Sequence, residues 1–435
     1  WGNAGVDTID TIMPEIYAWI DGRGYHPSLI VFDAQNEATY DLPDQIIRKG
    51  RGYDLQKRPW ENGWRPPVGE NDPVECHPYI IGTQGIKGLN GMNVSKPIVT
   101  TANIGWTYDQ YPDHPYLINE HGEYWINREG AAMSGTAGTW NSALPGATNA
   151  ERLTYYAELM AAQMEAFRTE RAYIGLLFFC GLGSSFPSAQ GVTSDILSPD
   201  VSTAKSLEIR PYTKELLKNA FADLGIVIDE YTEDVKRGEK LRLPIVLVND
   251  TGEAVSDLPV TIKIMNGDTL LYAERITMSV DAFSKDNKGL ACETVTVTVP
   301  AFRDYCKNRQ VLTVTASYEL NGEMVYSQRK WTIQGGDFTD DPLPTYDWLE
   351  QEETETDEAV TTAEPDTQGN TGESSDETVG VATEPSVTTG GADTTPAKGG
   401  CGSTVSGAAL AALALVGGSI AATRKKQKSK EKDGE

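Results

Sequence analysis

The segment His26-Pro27-Ser28-Leu29-Ile30-Val31-Phe32-Asp33-Ala34-Gln35-Asn36-Glu37 decides how this chain is read. Leu29 to Phe32 form an apolar run too short for a helix, and the run breaks abruptly into Asp33, Gln35, Asn36 and Glu37. Short apolar runs bounded by polar turn residues suit the buried parallel strands of an α/β protein. A carboxyl at the C-terminal end of such a strand stands where barrel enzymes carry their chemistry. Pro115-Tyr116-Leu117-Ile118-Asn119-Glu120 repeats the arrangement, and Tyr173 to Phe179 supplies another buried run.

Helical periodicity surrounds these strands. Thr8 to Ile20 places Ile9, Ile12, Ile16, Trp19 and Ile20 close to one face. Glu151 to Arg171 predicts an amphipathic helix with Leu153, Tyr156, Ala157, Met160, Met164 and Phe167 inward, and Asn149 as its N-cap. Residues 1–225 therefore read as alternating helix and strand.

From Ile226 to Gln334 the pattern changes. Leu243 to Val248, Val260 to Ile264 and Thr294 to Val299 have strand composition with partial alternation, and Asn249-Asp250 and Asn266-Gly267 mark turns. Strands at this spacing predict an antiparallel, immunoglobulin-like β-sandwich. Residues 335–400 are rich in Thr, Glu, Asp, Gly, Ser and Pro. Such a composition buries too little apolar surface to offset chain entropy, so a disordered stalk is expected. Its like charges keep it extended. Gly402 to Thr423 holds no charged residue, and Arg424, Lys425, Lys426, Lys428 and Lys430 follow. Roughly 20 uncharged residues span a hydrocarbon core. The expectation for 401–435 is a transmembrane anchor with a basic cytoplasmic tail and the folded domains outside. The tail resembles the C-terminal sorting tails of bacterial surface proteins, without an LPxTG motif.

The net charge of −26 is concentrated. Seventeen Asp and Glu lie between Asp337 and Ala397, with no Lys or Arg among them. No basic surface for nucleic acid is in view. The five cysteines form no CxxC pair, which argues against a zinc site of the usual spacing. Cys292 and Cys306 are either a disulfide or two free thiols, a choice that geometry makes.

The His26 to Glu37 segment resembles the "HPS-strand-NE" signature of glycoside hydrolase family 2, in the clan of (β/α)8-barrel glycosidases. That resemblance implies an α/β fold containing a partial TIM barrel, strands four to eight. It implies Glu37 as general acid/base and Asn36 as a ligand of the sugar 2-hydroxyl. Pro115 to Trp125 is similar to the family's seventh strand, which makes Glu120 the nucleophile. Lys57-Arg58-Pro59-Trp60 resembles the fifth strand. Val74-Glu75-Cys76-His77-Pro78-Tyr79 resembles the sixth, with His77 and Tyr79 lining the pocket and Glu75 lining or supporting it. Lys96 to Asn103 is a rival seventh strand with no Glu; were it the true one, the protein would be a pseudoenzyme. Trp60, Trp64, Trp106 and Trp125 are either stacking platforms for sugar rings or core residues, with Trp125 taken as substrate-binding. The spacing of His26, His77, His114 and His121 does not support a metal site, and no cofactor is expected.

The resemblance covers about Ile9 to Ile228. The chain opens on Trp1, so the three earlier barrel strands are expected on an N-terminal stretch not included here. The activity implied is retaining β-glycoside hydrolysis of extracellular glycans, of β-galactosidase, β-mannosidase or β-glucuronidase type. The alternative is an inactive glycan-binding or adhesive surface protein.

Overall fold

The computed structural model describes residues 8–349 except 38, 79–84, 91–110, 123, 172, 182, 184–193, 199–206 and 285. All of these fall in one compact unit, Trp1–Thr361. The expected membrane segment, Cys401, Tyr79, Trp106 and the rival strand at Lys96 lie outside the described residues. Among the described residues, no helix is long and apolar enough to cross a membrane.

The first half is mixed α/β. Its elements are helix α1 (Ile9–Arg23), strand β1 (Phe32–Asp33), α2 (Leu42–Tyr53), β2 (Trp60–Glu61), β3 (Val74–Cys76), β4 (Tyr116–Ile118), α3 (Ala137–Ala143), α4 (Asn149–Glu170), β5 (Gly175–Leu176) and α5 (Pro211–Ala220). Strand β1 pairs with β2 in parallel, Phe32 opposite Trp60 and Asp33 opposite Glu61. Strands β3, β4 and β5 form a second parallel sheet in that order, Cys76 opposite Ile118 and Ile118 opposite Leu176.

Between β2 and β3 a side chain replaces the backbone ladder. Asp72, buried just ahead of β3, accepts from the Trp60 amide at 3.0 Å and the Gly69 amide at 2.6 Å, and pairs with Arg51. The strands are shorter than the apolar runs that predict them. Ile30, Ile174 and Leu177 are exposed, and among the described residues β1 and β5 are each paired on one side only. Trp60 is fully buried and stacks on Phe32 at 4.6 Å, in a core with Ile12, Ile16, Ile46 and Ile47. It is a packing residue, which removes it from the candidate sugar platforms.

The N-cap of helix α4 is Thr148, one residue before the expected Asn149, which is the first helical residue. Thr148 and Glu151 form the capping box, the Thr148 amide donating to Glu151 Oε2 at 2.7 Å and the Glu151 amide to Thr148 Oγ1 at 3.3 Å. The helix is buried on more than one face. Glu165 pairs with Arg329 at 2.7 Å and accepts from the Ser327 hydroxyl at 2.9 Å. Both ions are nearly inaccessible to water, so each needs the other.

The second half is a two-sheet sandwich. Strands β6 (Leu224–Ile228), β7 (Asp234–Val235), β8 (Lys240–Asn249), β9 (Val255–Asn266), β10 (Thr269–Val280), β11 (Leu290–Thr298), β12 (Val311–Leu320) and β13 (Glu323–Ile333) form sheets of order β10-β9-β12-β13-β7 and β11-β8-β6. Alternating residues of both sheets, among them Ile245, Leu247, Ile262, Val297, Val314 and Trp331, fill one core. Asn321 and Gly322 both take positive φ at the β12–β13 turn, the geometry that a two-residue hairpin demands. Cys292 and Cys306 are free thiols, the first exposed and the second buried.

The stalk expected from residue 335 onward begins as a docked strap. Thr339 bridges to Phe302, and its amide donates to the Ala301 carbonyl at 2.9 Å. Phe338 lies between the guanidiniums of Arg237 (4.1 Å) and Arg303 (5.1 Å), and Arg275 sits 4.3 Å over Trp348. Composition averaged over the whole acidic stretch hides these aromatic anchors.

Candidate active site

The two parallel sheets bring five carboxyls and one imidazole to the C-terminal ends of their strands. Asp33 and Glu37 come from β1, Glu61 from β2, Glu75 and His77 from β3, and Glu120 from β4. The Asn36–Glu37 turn is held by Gln35, which is buried and donates to the Asn62 carbonyl (3.0 Å) and to Asn62 Oδ1 (3.1 Å) while accepting from the Tyr40 amide (3.3 Å). Glu37 itself takes a left-handed φ of 45°. A non-glycine residue in that region costs on the order of 1 kcal/mol or more, and such strain collects at functional turns.

His77 is the hub. Its Nδ1 donates to Glu37 Oε1 at 2.8 Å and lies 3.5 Å from Glu120 Oε2. Its Nε2 is 2.6 Å from Glu75 Oε1, a close ion contact too bent to be a well-formed hydrogen bond. Burial works against a charged imidazole here, but Glu37, Glu75 and Glu120 more than offset it and push His77 up to about 10. At neutral pH it is therefore an imidazolium. One oxygen each of Glu37 and Glu120 and one His77 nitrogen lie within 4.8 Å of one another. This is the one described trio within metal-binding reach.

One imidazolium does not balance five carboxylates, and Glu61 keeps its proton at neutral pH. Burial, then Glu75 and Asp33, push Glu61 up to about 9. Glu61 Oε2 accepts from Asn119 Nδ2 at 3.3 Å, while Oε1 is sealed from water without a partner. Asp33 is raised to about 7 by surrounding protein and by Glu75. Its surface is exposed, so solvent screens part of that effect. Glu61 is the member that sequence reading missed. Lys57-Arg58-Pro59-Trp60 ahead of it is not the apolar run that precedes Glu37 and Glu120, so no local pattern marks it.

The sequence-derived residues divide as follows. Glu37, His77 and Glu120 come together, with exposed Asn36 beside Glu37. Glu75 joins them from the floor of the site. Trp64, half-buried, stands 6.4 Å edge-on to His77. Trp125 is half-buried, and its described hydrogen bonds run through its carbonyl to Met133, Thr136 and Trp140. The other histidines are dispersed. His26 is exposed, His114 bonds the Asp72 carbonyl at 2.9 Å, and His121 is buried beside Gln163 at 3.3 Å. Burial pulls His121 down to about 4, with Gln163 opposing in part, so it is neutral.

No protein-family profile matches the chain, and no curated protein resembles it in sequence. Similar solved structures include glycosidases. The β-D-mannosidase of Dictyoglomus thermophilum is 12% identical, with a TM-score of 0.41 over 77% of this chain and 41% of that one. Bacteroides uniformis β-glucuronidase 3 is 12% identical, with a TM-score of 0.34 over 75% and 39%. A calcium-binding mutant of Bacteroides uniformis β-glucuronidase 2 is 13% identical, with a TM-score of 0.34 over 75% and 36%. This chain thus spans about two fifths of the enzymes it resembles, and at these scores the likeness itself carries no argument about activity.

Proposed function

We propose that this chain is part of a retaining β-glycosidase of family 2 type, displayed outside the cell and tethered through 401–435, that hydrolyses glycans through a covalent glycosyl-enzyme intermediate. The parallel strands are read as strands four to eight of a (β/α)8 barrel. The observation that carries the proposal is the approach of Glu37 and Glu120 oxygens to within 4.8 Å. Retaining enzymes hold their two carboxyls about 5–5.5 Å apart, whereas inverting enzymes leave room for a water between them.

In the first step Glu120 attacks the anomeric carbon, and the bond to the leaving oxygen breaks as Glu37 delivers a proton to that oxygen. In the second, Glu37 takes a proton from water, which displaces Glu120 from the sugar. Asn36 and Trp64 border the sugar, and Tyr79 is carried into this reading as a pocket residue. His77 holds both carboxylates before substrate arrives, and its contact with Glu37 must loosen for Glu37 to donate. That contact also favours a second reading, a surface protein that binds glycans without cleaving them.

Kinetics on the protein at its natural full length separate the two readings. With aryl β-glycosides, Glu120→Gln abolishes turnover of every substrate. Glu37→Gln loses roughly 10²–10⁴-fold on poor leaving groups and much less on dinitrophenyl glycosides, which need no acid. Glycan binding without turnover of any substrate replaces the first reading by the second.

A further inference from the structure

Arg210, at the start of α5, is a buried cation with unused donors. Only 7% of its surface is exposed. Its Nη2 donates to the Asp195 carbonyl and, at 3.3 Å, to the Arg128 carbonyl. Its Nε and Nη1 are sealed from water and have no partner. The carboxylate best placed to neutralise it is committed elsewhere. Asp195 Oδ2 pairs with Arg128 at 3.0 Å, and Oδ1 accepts from the Leu197 amide at 3.0 Å. Burial pulls the guanidinium down to about 10, with Asp195 and Tyr156 opposing, so it remains charged at neutral pH.

Two hydroxyls share this sealed region. Tyr156, from α4, and Arg210 perturb one another's ionisation, and Ser194 adjoins the Tyr156 phenol. Neither hydroxyl oxygen is accessible to water or forms a well-made hydrogen bond. Ser194 accepts from Cys180 Sγ through its carbonyl at 3.4 Å, and its hydroxyl faces the Tyr156 phenol. A buried charge demands a counter-charge, and buried donors demand acceptors. Arg210 presents two spare N–H groups, and when one hydroxyl of the Tyr156–Ser194 pair donates to the other, the remaining O–H is left to join them.

We propose that Arg210, Tyr156 and Ser194 form a buried site for one small monovalent inorganic anion of halide type. The site stands independently of the glycosidase reading. It lies beneath the turn that follows Glu120, since a Cβ placed on Gly122 would stand 3.9 Å from the Tyr156 hydroxyl. An anion supplies both missing requirements, a negative charge and several acceptor directions, whereas a buried water supplies only the second.

The test uses the full chain at constant ionic strength in sodium chloride, sodium bromide or sodium gluconate. The melting temperature is expected to rise saturably with either halide and not with gluconate. Tyr156→Phe should raise the halide midpoint about tenfold, one hydrogen bond's worth, and Arg210→Gln should abolish the response. A bromide-soaked crystal should show an anomalous peak within hydrogen-bonding reach of Arg210 Nε or Nη1. If Arg210→Gln fails to fold, Tyr156→Phe and Ser194→Ala still decide. Equal response to gluconate, an unchanged midpoint in both hydroxyl variants, or water in place of bromide overturns the proposal. So does a bromide peak without any halide dependence in solution, which would mark an adventitious ion only.

Discussion

Replacing Glu61 by glutamine keeps the shape of the side chain and removes its ability to ionise. In the folded chain Glu61 is pushed up to about 9, chiefly by burial and then by Glu75 and Asp33, against an ordinary value of 4.5. Between those two values the folded state binds more protons than the unfolded state, so stability falls as pH rises through that window. Holding a proton at pH 7 on a group that would otherwise release it at 4.5 costs about 3 kcal/mol. Glu61→Gln escapes that cost and can still accept from Asn119. Urea unfolding followed by the fluorescence of adjacent Trp60 reads the effect. The variant should gain up to about 3 kcal/mol at pH 7, gain little below pH 4.5, and widen its advantage up to pH 9. A variant less stable than wild type at pH 7, or a difference that does not change with pH, would refute the reasoning. It would mean that Glu61 is ionised and paired.

The two tryptophans near the strand ends should behave oppositely. Trp60→Ala should cost about 3–5 kcal/mol in unfolding experiments, as emptying a filled core does, while Trp64→Ala should leave stability nearly unchanged and raise KM. His121, pulled down to about 4, is neutral when folded and takes a proton below 6.5 when unfolded, so stability should fall as pH drops from 6.5 to 4. That loss amounts to about 3 kcal/mol and should be missing from His121→Phe in parallel melting curves. Phe338→Ala should destabilise the sandwich by about 1–2 kcal/mol, through two cation–π contacts and some buried area, measured by chemical denaturation.

What the sequence disclosed follows from what periodicity records. The α4 face from Tyr156 to Phe167 and the alternating runs of β8, β9 and β11 are local patterns set by burial on one side, and they are legible in one dimension. The Asn36-Glu37 and Asn119-Glu120 pairs were legible because polar residues end apolar strands there. Glu61 was not, because its burial comes from the Asp33–Glu61 register and from β3, which are relations between strands. Arg210 and Ser194 gave no local signal, since only tertiary packing strips them of solvent. The docked strap at Phe338 and Trp348 was lost by averaging, as two aromatic residues in an acidic stretch scarcely change its composition. Trp60 and Trp64 look alike in sequence, and only the stacking on Phe32 makes the first a core residue.

The central claim is that Glu37 and Glu120 form a retaining pair, and a 2-fluoro aryl β-glycoside tests it most directly. The fluorine slows both steps and the activated leaving group restores the first, so the glycosyl-enzyme accumulates and can be digested and sequenced by mass spectrometry. The account predicts one sugar per chain, attached to Glu120, with no label on the Glu120→Gln variant. Turnover of the parent glycosides with the label on another residue, or with no covalent sugar at all, would contradict it.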